Sequence, residues 1–313
     1  MEPADQEMKQ QQIRLLVVGG NGFIGKHVVS HALRLGWSVT SLSLQFKGET
    51  NLSNVNYISA DISDNVLLKE KLREASFEYV INCAGYIDHT PFSKGGGKVF
   101  DTHFGGVLNL IESLNRENLR SFINIGSSDE YGDNEAPQVE AQREVPISPY
   151  SMGKVAATHF LQMLYRTENF PATTLRLFLT YGPGQNNQRF LPQIILGCLE
   201  DRPFSTSKGE QLRDFCFVQD TIESIFAAFD SPAAKGEVIN IGSGQPVSIR
   251  HVVETVHMLI GKGKPQYGEV SYRSGENMEL YANISKAKAL LDWEPKVALE
   301  AGLNKTIQSI KDL

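Results

Sequence analysis

Apolar residues in the first half of this chain fall into short continuous runs, separated by longer segments with helical spacing. The first run, residues 13–18, is almost entirely Ile, Leu and Val. Such a run is typical of a strand buried on both faces of a parallel sheet. It passes through several glycines into the helical pattern of residues 26–35. The chain is therefore predicted to begin with a strand, a glycine-rich turn and a helix.

The same alternation continues as far as residue 178. Further apolar runs predict strands at residues 38–44, 55–59, 79–82, 121–125 and 173–178. Helical periodicity between them predicts helices at residues 65–75, 99–115 and 148–165. Regular alternation of strand and helix is typical of an α/β protein with a doubly wound parallel sheet. We therefore predict a Rossmann fold, whose ligands bind at the carboxyl ends of the strands.

The pattern changes after residue 178, where a turn cluster at residues 181–185 begins a second region. Beyond it the spacing predicts helices at residues 190–201, 221–229, 249–260, 285–291 and 299–310, and extended segments at 211–218 and 237–241. We assign the dinucleotide-binding domain to residues 13–183 and 215–242. A smaller C-terminal substrate-binding lobe is assigned to residues 184–214 and 243–313. Residues 1–12 are polar and are predicted to be a disordered tail.

The first turn carries the pattern Gly-x-x-Gly-x-x-Gly at Gly19, Gly22 and Gly25. Gly19 allows a tight turn, Gly22 lets the backbone approach a pyrophosphate, and Gly25 lets the helix pack against the strand. The helix N-terminus then presents amides and the positive end of its dipole to an anion. The flanking strand and helix favour a dinucleotide site that includes Phe23 and Ile24. A glycine-rich turn without a ligand is the alternative.

The end of the second predicted strand bears on the choice of cofactor. NAD-binding enzymes usually carry an acid there that hydrogen-bonds the adenosine ribose. This strand instead ends near Ser43, with Lys47 shortly after it, so we favour NADP(H), with NAD(H) possible. The alternative is that Ser43 is a neutral ribose contact. Asp61, beside Ile62, is expected either to accept from the adenine amine or to cap the following helix.

Composition narrows the range of partners. A net charge of −6 over 313 residues gives no basic surface for nucleic acid or an anionic membrane. No apolar run approaches the roughly 20 residues that span a bilayer. The three cysteines form no disulfide or metal pattern, and His27 with His31 lacks an acidic third ligand. The polar amino terminus lacks a secretion signal. We expect a soluble cytoplasmic protein without a bound metal.

Candidate catalytic chemistry lies in Ser127, Tyr150 and Lys154. Tyr150 and Lys154 are four residues apart, so a helix places them on one face. A nearby ammonium favours the phenolate of a tyrosine, whose ordinary pKa is near 10. Lowering that pKa by about 3 units requires about 4 kcal/mol, which lysine and oxidised nicotinamide together could supply. Tyr150 would then exchange a proton with a sugar hydroxyl or ketone, and Ser127 would hydrogen-bond the same oxygen.

From Ile13 onward the chain resembles the extended short-chain dehydrogenase/reductases, a group of nucleotide-sugar epimerases, dehydratases and ketoreductases. The resemblance rests on residues 19–25, 60–61, 83–85, 127–132, 150 with 154, 181–184, 213–215 and 291–295. It implies that Ser127, Tyr150 and Lys154 are catalytic and that Lys154 also holds the nicotinamide ribose. It further implies that Ala84 and Gly85 line the cofactor. Many relatives pair through two long helices, which here implies a homodimer through residues 99–115 and 148–165.

The departures from the family pattern bear on the reaction. In the 4,6-dehydratases an Asp-Glu pair supplies the acid and base for water loss; here Ser128 and Asp129 hold those positions, and Glu130 falls one place late. The segment instead looks like that of reductases of 4-keto-6-deoxy sugar nucleotides. His103 and Leu179 replace asparagines that are common in the family. Both changes affect the geometry expected for the substrate.

Substrate contacts are predicted from the resemblance and from isolated polar residues. The candidate set is His89, Ser128, Asp129, Arg189, Arg213 and Arg273. Guanidinium groups match diphosphate oxygens, although each arginine could instead form a surface salt bridge. His89 could equally be a satisfied loop histidine. Phe190 or Phe204 could flank the nucleotide base or belong to the core.

Three main interpretations of the function compete at this point, and the second includes a lower-ranked variant. We favour NAD(P)H-dependent reduction of the C4 ketone of a nucleotide-activated 4-keto-6-deoxyhexose. The alternative is a nucleotide-sugar 4-epimerase with tightly bound NAD, with a 4,6-dehydratase ranked below it. A non-enzymatic NADP-binding regulator is the third reading, because fold does not fix function; an intact Ser127, Tyr150 and Lys154 set argues against it.

Overall fold

The computed structural model describes residues 12–45, 52–272 and 275–312. Residues 1–11 of the predicted tail, Lys47 and Arg273 lie outside these ranges. In chain order the elements are β1 (Arg14–Val18), α1 (Phe23–Arg34), β2 (Ser38–Ser43), β3 (Val55–Ser59), α2 (Asn65–Leu72), β4 (Tyr79–Asn82), α3 (Gly97–Phe100), α4 (Gly106–Ser113), β5 (Ser121–Ser127), α5 (Pro149–Glu168), β6 (Ala172–Leu177), β7 (Leu179–Tyr181), α6 (Phe190–Leu199), β8 (Pro203–Thr206), β9 (Leu212–Phe217), α7 (Val218–Asp230), β10 (Val238–Ile241), β11 (Pro246–Ser248), α8 (Ile249–Ile260), β12 (Lys264–Tyr267), β13 (Glu279–Leu280), α9 (Ser285–Leu291) and α10 (Leu299–Lys311).

The main sheet has seven parallel strands in the order β10-β6-β5-β4-β1-β2-β3. The strand order reverses on the two sides of β1, which creates the crevice where Rossmann proteins bind their ligands. The glycine-rich turn after β1 and the ends of β4 and β5 lie along this edge. The predicted α/β Rossmann class is confirmed.

The core lies on both faces of this sheet because successive side chains of a strand point in opposite directions. Leu15 and Val17 pack in one cluster with residues of α1 and α7. Leu16 and Val18 pack in another cluster with residues of α2, α4 and α5. All four are fully buried, which explains why β1 is a continuous apolar run.

A second, smaller sheet lies outside the Rossmann sheet. Its strand order is β11-β9-β13, with β7 also paired to β9. The buried carboxylate of Asp214 accepts hydrogen bonds from the backbone amides of Ser243, Gly244 and Ala282, and burial raises its pKa. The expectation that the chain returns to the main sheet at residue 215 is wrong for β9, whose partners are all in the small sheet. The return begins with α7, which packs on the main sheet, and is completed by β10.

The predicted long helix at residues 99–115 is interrupted. It consists of α3, a π-helical turn at Asp101–Gly105 and α4. Glycine at position 106 allows close packing, since a Cβ there would lie 2.5 Å from Ile62 Cδ1, which would have to move aside. Elsewhere the boundaries differ by a few residues: α1 begins at Phe23 rather than at residue 26, and α7 begins at Val218 rather than at residue 221. Within the described ranges, no helix is long and apolar enough to cross a bilayer.

Candidate active site

The glycine-rich turn forms a close cradle at the carboxyl end of β1. Gly19 has φ +80°, and a Cβ at this position would lie 2.8 Å from the backbone nitrogen of Ala84. A Cβ at Gly25 would lie 2.2 Å from the carbonyl oxygen of Gly19. Gly22 is the N-cap of α1, where no described side chain caps the helix and the first turn contains no acid. These features fit the pyrophosphate of a dinucleotide.

Ser43 and Asp61 follow the neighbouring strands. The Ser43 hydroxyl accepts a hydrogen bond from the backbone amide of Asn21 at 3.1 Å, so it ties the end of β2 to the glycine turn. The exposed Asp61 carboxylate accepts from the backbone amide of Ser63. Asp64, not Asp61, caps α2, so the capping interpretation of Asp61 is wrong. The cofactor roles of Ser43, Asp61 and the buried Ile62 stay predictions.

The segment after β4 approaches both the glycine turn and the candidate catalytic residues. Gly85 has φ +114°, and a Cβ at this position would lie 2.1 Å from the Cε1 atom of His103. Ala84 donates its backbone amide to the Asn82 side chain, which in turn donates to Asn124 on β5. Ala84 and Gly85 are therefore held at the crevice, where the family resemblance expects cofactor contacts.

The structure brings Ser127, Tyr150 and Lys154 together. Ser127 is the last residue of β5, and its side chain lies close enough to the Tyr150 hydroxyl to lower the pKa of Tyr150. Tyr150 lies in the first turn of α5, which begins with a capping box at Ser148 and a proline at its first position. Lys154 lies one turn further on and donates from Nζ to the carbonyl oxygen of Ile125 at 2.6 Å. Tyr150 and Lys154 are both buried.

Burial has the largest effect on the pKa values of Tyr150 and Lys154. Burial is the main cause that raises the pKa of Tyr150, and the charge of Asp129 adds to it. The side chain of Ser127 and the charge of Arg189 act in the opposite direction. Burial lowers the pKa of Lys154 to about 8, against the charge of Glu130. The predicted lowering of the Tyr150 pKa depends on Lys154 together with oxidised nicotinamide, and it stays a prediction.

Two imidazole rings pack edge-on against Tyr150. The ring centroid of His103 lies 4.9 Å away and that of His89 lies 5.6 Å away. Nε2 of His103 donates to the carbonyl oxygen of Tyr86 at 2.8 Å. Burial and the Lys154 charge lower its pKa to about 3, so His103 is neutral. We did not predict His103 as a site residue; the sequence signal was its replacement of the usual asparagine.

His89 and Asp129 lie together beside Tyr150. Nε2 of His89 lies 3.6 Å from an Asp129 carboxylate oxygen, and Nδ1 lies 3.4 Å from the Ser148 hydroxyl. The backbone amide of Asp129 donates to the Ser127 hydroxyl. His89 and Asp129 are partly exposed, whereas Ser128 is buried. Their roles toward a substrate stay predictions.

Glu130 points away from this group. Its buried carboxylate accepts from the Ser127 backbone amide, the Thr158 hydroxyl and Arg176 Nε, all at 2.9 Å. Of the two acids in the 128–131 turn, Asp129 has the stronger effect on the pKa of Tyr150. Among the residues that the structure describes, no group of three His, Cys, Asp or Glu side chains could hold a metal ion.

The predicted arginines are placed differently from one another. Arg189 is exposed at the start of α6, and its charge lowers the pKa of Tyr150. Arg213 is buried on β9 and forms an ion pair with Glu276, so a surface salt bridge does not describe it. Phe204 is buried in the core beside Gly197, and Phe190 is half-buried against the same core. Diphosphate contacts for Arg189 and Arg213 stay predictions.

The parallel sheet, its glycine-rich first turn and the added small lobe are those of the extended short-chain dehydrogenase/reductases. The family model described as the NAD dependent epimerase/dehydratase family matches residues 15–242. The chain belongs to this family. The resemblance noted in the sequence is thereby confirmed.

Curated relatives match nearly the whole chain. A protein named as an uncharacterized UDP-glucose epimerase, YtcB of Bacillus subtilis, is 26% identical over 96% of this chain and 99% of its own length. A dTDP-glucose 4,6-dehydratase of Xanthomonas campestris is 27% identical over 93% of this chain and 91% of its own.

Solved structures agree with this placement. The UDP-glucose 4-epimerase of Thermotoga maritima, solved with UDP-glucose, superposes with a TM-score of 0.89 at 26% identity, covering 96% of this chain and 99% of the other. The UDP-glucuronic acid 4-epimerase of Bacillus cereus, solved with UDP-glucuronic acid and NAD, gives 0.83 at 27% identity over 96% and 99%.

These comparisons place the chain among nucleotide-sugar epimerases and dehydratases. They support the epimerase alternative better than the favoured ketoreductase, since the solved relatives named here are 4-epimerases. They also give no support to the preference for NADP(H), because the Bacillus cereus protein was solved with NAD. The homodimer and the cytoplasmic location stay predictions.

Proposed function

We propose that this protein is a nucleotide-sugar 4-epimerase that retains NAD. The proposal depends mainly on the group of Ser127, Tyr150 and Lys154, which lies beside the glycine cradle. It also depends on Glu130, whose carboxylate forms an ion pair with Arg176. Loss of water would need both an acid and a base beside the sugar. Of the two acids in the turn after β5, Glu130 is bound to Arg176, so Asp129 is the acid that we propose to lie beside the sugar. The arrangement therefore favours epimerisation over dehydration.

The proposed cofactor contacts follow from the crevice. The turn from Gly19 to Gly25 would hold the pyrophosphate, and Lys154 would hold the nicotinamide ribose. Ser43 and Asp61 would lie toward the adenosine, and Ala84 and Gly85 along the middle of the cofactor. NAD held there would supply the acceptor for the hydride of the sugar C4 and the donor that restores it on the opposite face.

The residues of this chain supply the proton chemistry. In the forward step the Tyr150 phenolate oxygen would take the proton of the sugar 4-hydroxyl and become a phenol, and it would return this proton when the C4 oxygen is again a hydroxyl. The Ser127 hydroxyl hydrogen-bonds the same sugar oxygen and keeps it in line with Tyr150. The positive charge of Lys154 stabilises the tyrosinate. Neutral His103 packs on the ring and holds its orientation without adding a charge.

Substrate binding is proposed to use the small lobe. Arg189 and Arg213, with Arg273, would bind the diphosphate of the nucleotide. Arg213 pairs with the carboxylate of Glu276, and this anionic contact supports the proposal that its guanidinium would bind a diphosphate. UDP-sugars are the first candidates, because the relatives with solved structures were crystallised with them.

The test uses purified protein without added cofactor. We expect denaturation to release NAD, and we expect UDP-glucose or UDP-glucuronate to equilibrate with its C4 epimer without net change in nicotinamide absorbance. Parallel reactions contain a 4-keto-6-deoxyhexose nucleotide with NADH or NADPH. Stoichiometric cofactor oxidation there would contradict the proposal and support the ketoreductase. Accumulation of a 4-keto-6-deoxy product from a UDP- or dTDP-hexose would indicate a dehydratase.

A further inference from the structure

A fully buried carboxylate, that of Glu130, lies directly behind the candidate catalytic serine. Glu130 has 0% exposure. One of its oxygens accepts the backbone amide of Ser127 at 2.9 Å. Gly126 makes room for it, since a Cβ there would lie 2.6 Å from the same carboxylate oxygen. The carboxylate therefore fixes the backbone of the residue whose hydroxyl meets Tyr150.

The other oxygen of Glu130 reaches α5. It accepts from the Thr158 hydroxyl at 2.9 Å, and Thr158 is buried with 0% exposure. Positions 150, 154 and 158 are spaced by four residues, so Tyr150, Lys154 and Thr158 lie on one face of the helix. Glu130 therefore connects the end of β5 to the same helix face that carries Tyr150 and Lys154.

Arg176 on β6 supplies the charge that this carboxylate needs. Its Nε donates to Glu130 at 2.9 Å, and Nη2 donates to Glu144 at 2.5 Å. A buried charge requires a partner of opposite charge. Glu144 contacts Arg176 and His159. The Arg176 guanidinium therefore has a second carboxylate partner, which is not the one that binds the Ser127 backbone.

We propose that Glu130 is a positioning residue for the catalytic group, because it links the Ser127 backbone on β5 to the Tyr150 and Lys154 face of α5 through Thr158. This inference rests on the proposed role of Ser127, Tyr150 and Lys154. Simple neutralisation of Arg176 does not account for the contacts with Ser127 and Thr158. The link sets the distance between the serine hydroxyl and the tyrosine, and an error of about 1 Å in such a distance can cost on the order of 100-fold in rate.

The first test compares Glu130→Gln with Glu144→Gln. Each variant removes one carboxylate from Arg176, so both are expected to lower the melting temperature. We expect Glu130→Gln to lower kcat by roughly 100-fold with little change in KM. Glu144→Gln should retain kcat within about threefold, because surroundings that do not touch the reacting groups have small effects on the transition state. Equal losses of kcat in the two variants would overturn the proposal.

The pH dependence gives a readout that loss of structure alone would not move. The charge of Glu130 raises the pKa of both Lys154 and Tyr150. Asp129, Arg189 and Cys83 also influence these two residues. The rings of His89 and His103 pack on Tyr150, and His103 interacts with the Lys154 charge. Glu130→Gln leaves all five in place. In Glu130→Gln, the acid limb and the basic limb of the pH profile of kcat are therefore both expected to move to lower pH. In Glu144→Gln, both limbs should stay in place. An unmoved profile in Glu130→Gln would contradict the proposal.

Thr158 provides a second test in case Glu130→Gln does not fold. Thr158→Val removes the hydroxyl with little change in shape, whereas Thr158→Ser keeps it. We expect kcat to fall roughly tenfold in the valine variant and to stay near the original value in the serine variant. Equal activity of the two would overturn the proposed link through α5.

The test also separates this inference from the proposed function. The variants are compared in whichever reaction the unaltered protein catalyses, including ketone reduction, so failure of the epimerase proposal leaves the comparison valid. Crystal structures of Glu130→Gln and Glu144→Gln, or of Thr158→Val, give a readout independent of turnover. The Ser127 hydroxyl should move away from Tyr150 in Glu130→Gln and Thr158→Val only. An unchanged position in these two variants would contradict the inference.

Discussion

The two sides of the candidate active site are built differently. The side formed by β5 and α5 carries Ser127, Tyr150 and Lys154, and all three residues are buried. Lys154 on α5 also donates a hydrogen bond to the backbone of β5. The opposite side consists of turns and element ends, with His89 and Asp129 partly exposed and Arg189 exposed.

This contrast indicates a division of labour. Groups that move a proton must hold their positions within a fraction of an ångström, and a sheet edge with a helix supplies that rigidity. Groups that recognise a sugar or a nucleotide can lie on turns, which tolerate changes in sequence more readily. We therefore expect changes on the β5 and α5 side to reduce kcat, and changes on the other side to alter KM or the pH dependence.

The largest effect is expected for Tyr150→Phe. This change removes the proposed acid and base, and we expect kcat to fall by about 1,000-fold with the NAD content unchanged. Tyr131→Phe is the matched control, since the Tyr131 hydroxyl is also buried but donates to Asn240. It should lower stability by roughly 1 kcal/mol and retain most of kcat. Comparable activity of Tyr150→Phe and the unaltered protein would remove Tyr150 from the mechanism.

The next effect concerns the glycine cradle. Gly25→Ala would place a Cβ 2.2 Å from the backbone oxygen of Gly19, and backbone cannot move aside as a side chain can. We expect the purified variant to lose its bound NAD while it remains folded, as measured by extraction and by calorimetric titration. Gly105→Ala is the control, because a Cβ there meets no described heavy atom within 4 Å. Normal NAD content in Gly25→Ala would contradict the placement of the pyrophosphate.

A smaller effect is expected from Arg213→Met. Loss of a charged hydrogen-bonding partner of the diphosphate should raise KM by roughly 10- to 100-fold with a minor change in kcat. Arg202→Met serves as the control, since Arg202 is an exposed arginine paired with Glu200. Steady-state kinetics with the accepted UDP-sugar measures the difference. A KM equal to that of the control would indicate that Arg213 does not bind the diphosphate.

The smallest effect is expected from Asp129→Asn. The Asp129 charge raises the pKa of Tyr150, so its removal lowers that pKa and favours the tyrosinate. Because the forward step needs Tyr150 as a base, the acid limb of the pH profile should move to lower pH. Asp133→Asn, at an exposed position in the same turn region, should leave the limb in place. A shift in the opposite direction would show that Asp129 acts on the reaction by another route.

The difference between the two sides also explains what the sequence could predict. Strands buried on both faces must be continuous apolar runs, so β1 to β6 and β10 were found with errors of a few residues. The proximity of Tyr150 and Lys154 could be predicted because the two residues are local neighbours on one helix. The strands of the small lobe were largely missed because β7, β8, β11, β12 and β13 have at most four residues each, which is too short for a period to be visible.

The other omissions have a common cause in contacts between distant residues. Glu130 and Arg176 are separated by 46 positions, and either alone is typical of an exposed charge. The π-helical turn carries His103, which packs near Gly85 and Gly153. These contacts join residues far apart in the sequence, so a local pattern cannot predict them. Asp61 and Asp64 are both reasonable caps in the sequence, and only the backbone geometry selects Asp64.

The central claim is that the hydride removed from C4 of the sugar returns to the same carbon. The most direct measurement incubates the purified protein, without added cofactor, with UDP-glucose deuterated at C4 and analyses the products by NMR and mass spectrometry. The proposal predicts UDP-galactose that retains deuterium at C4, with no net change in nicotinamide absorbance. Loss of the label from C4, or conversion that occurs only with added NADPH, would contradict it.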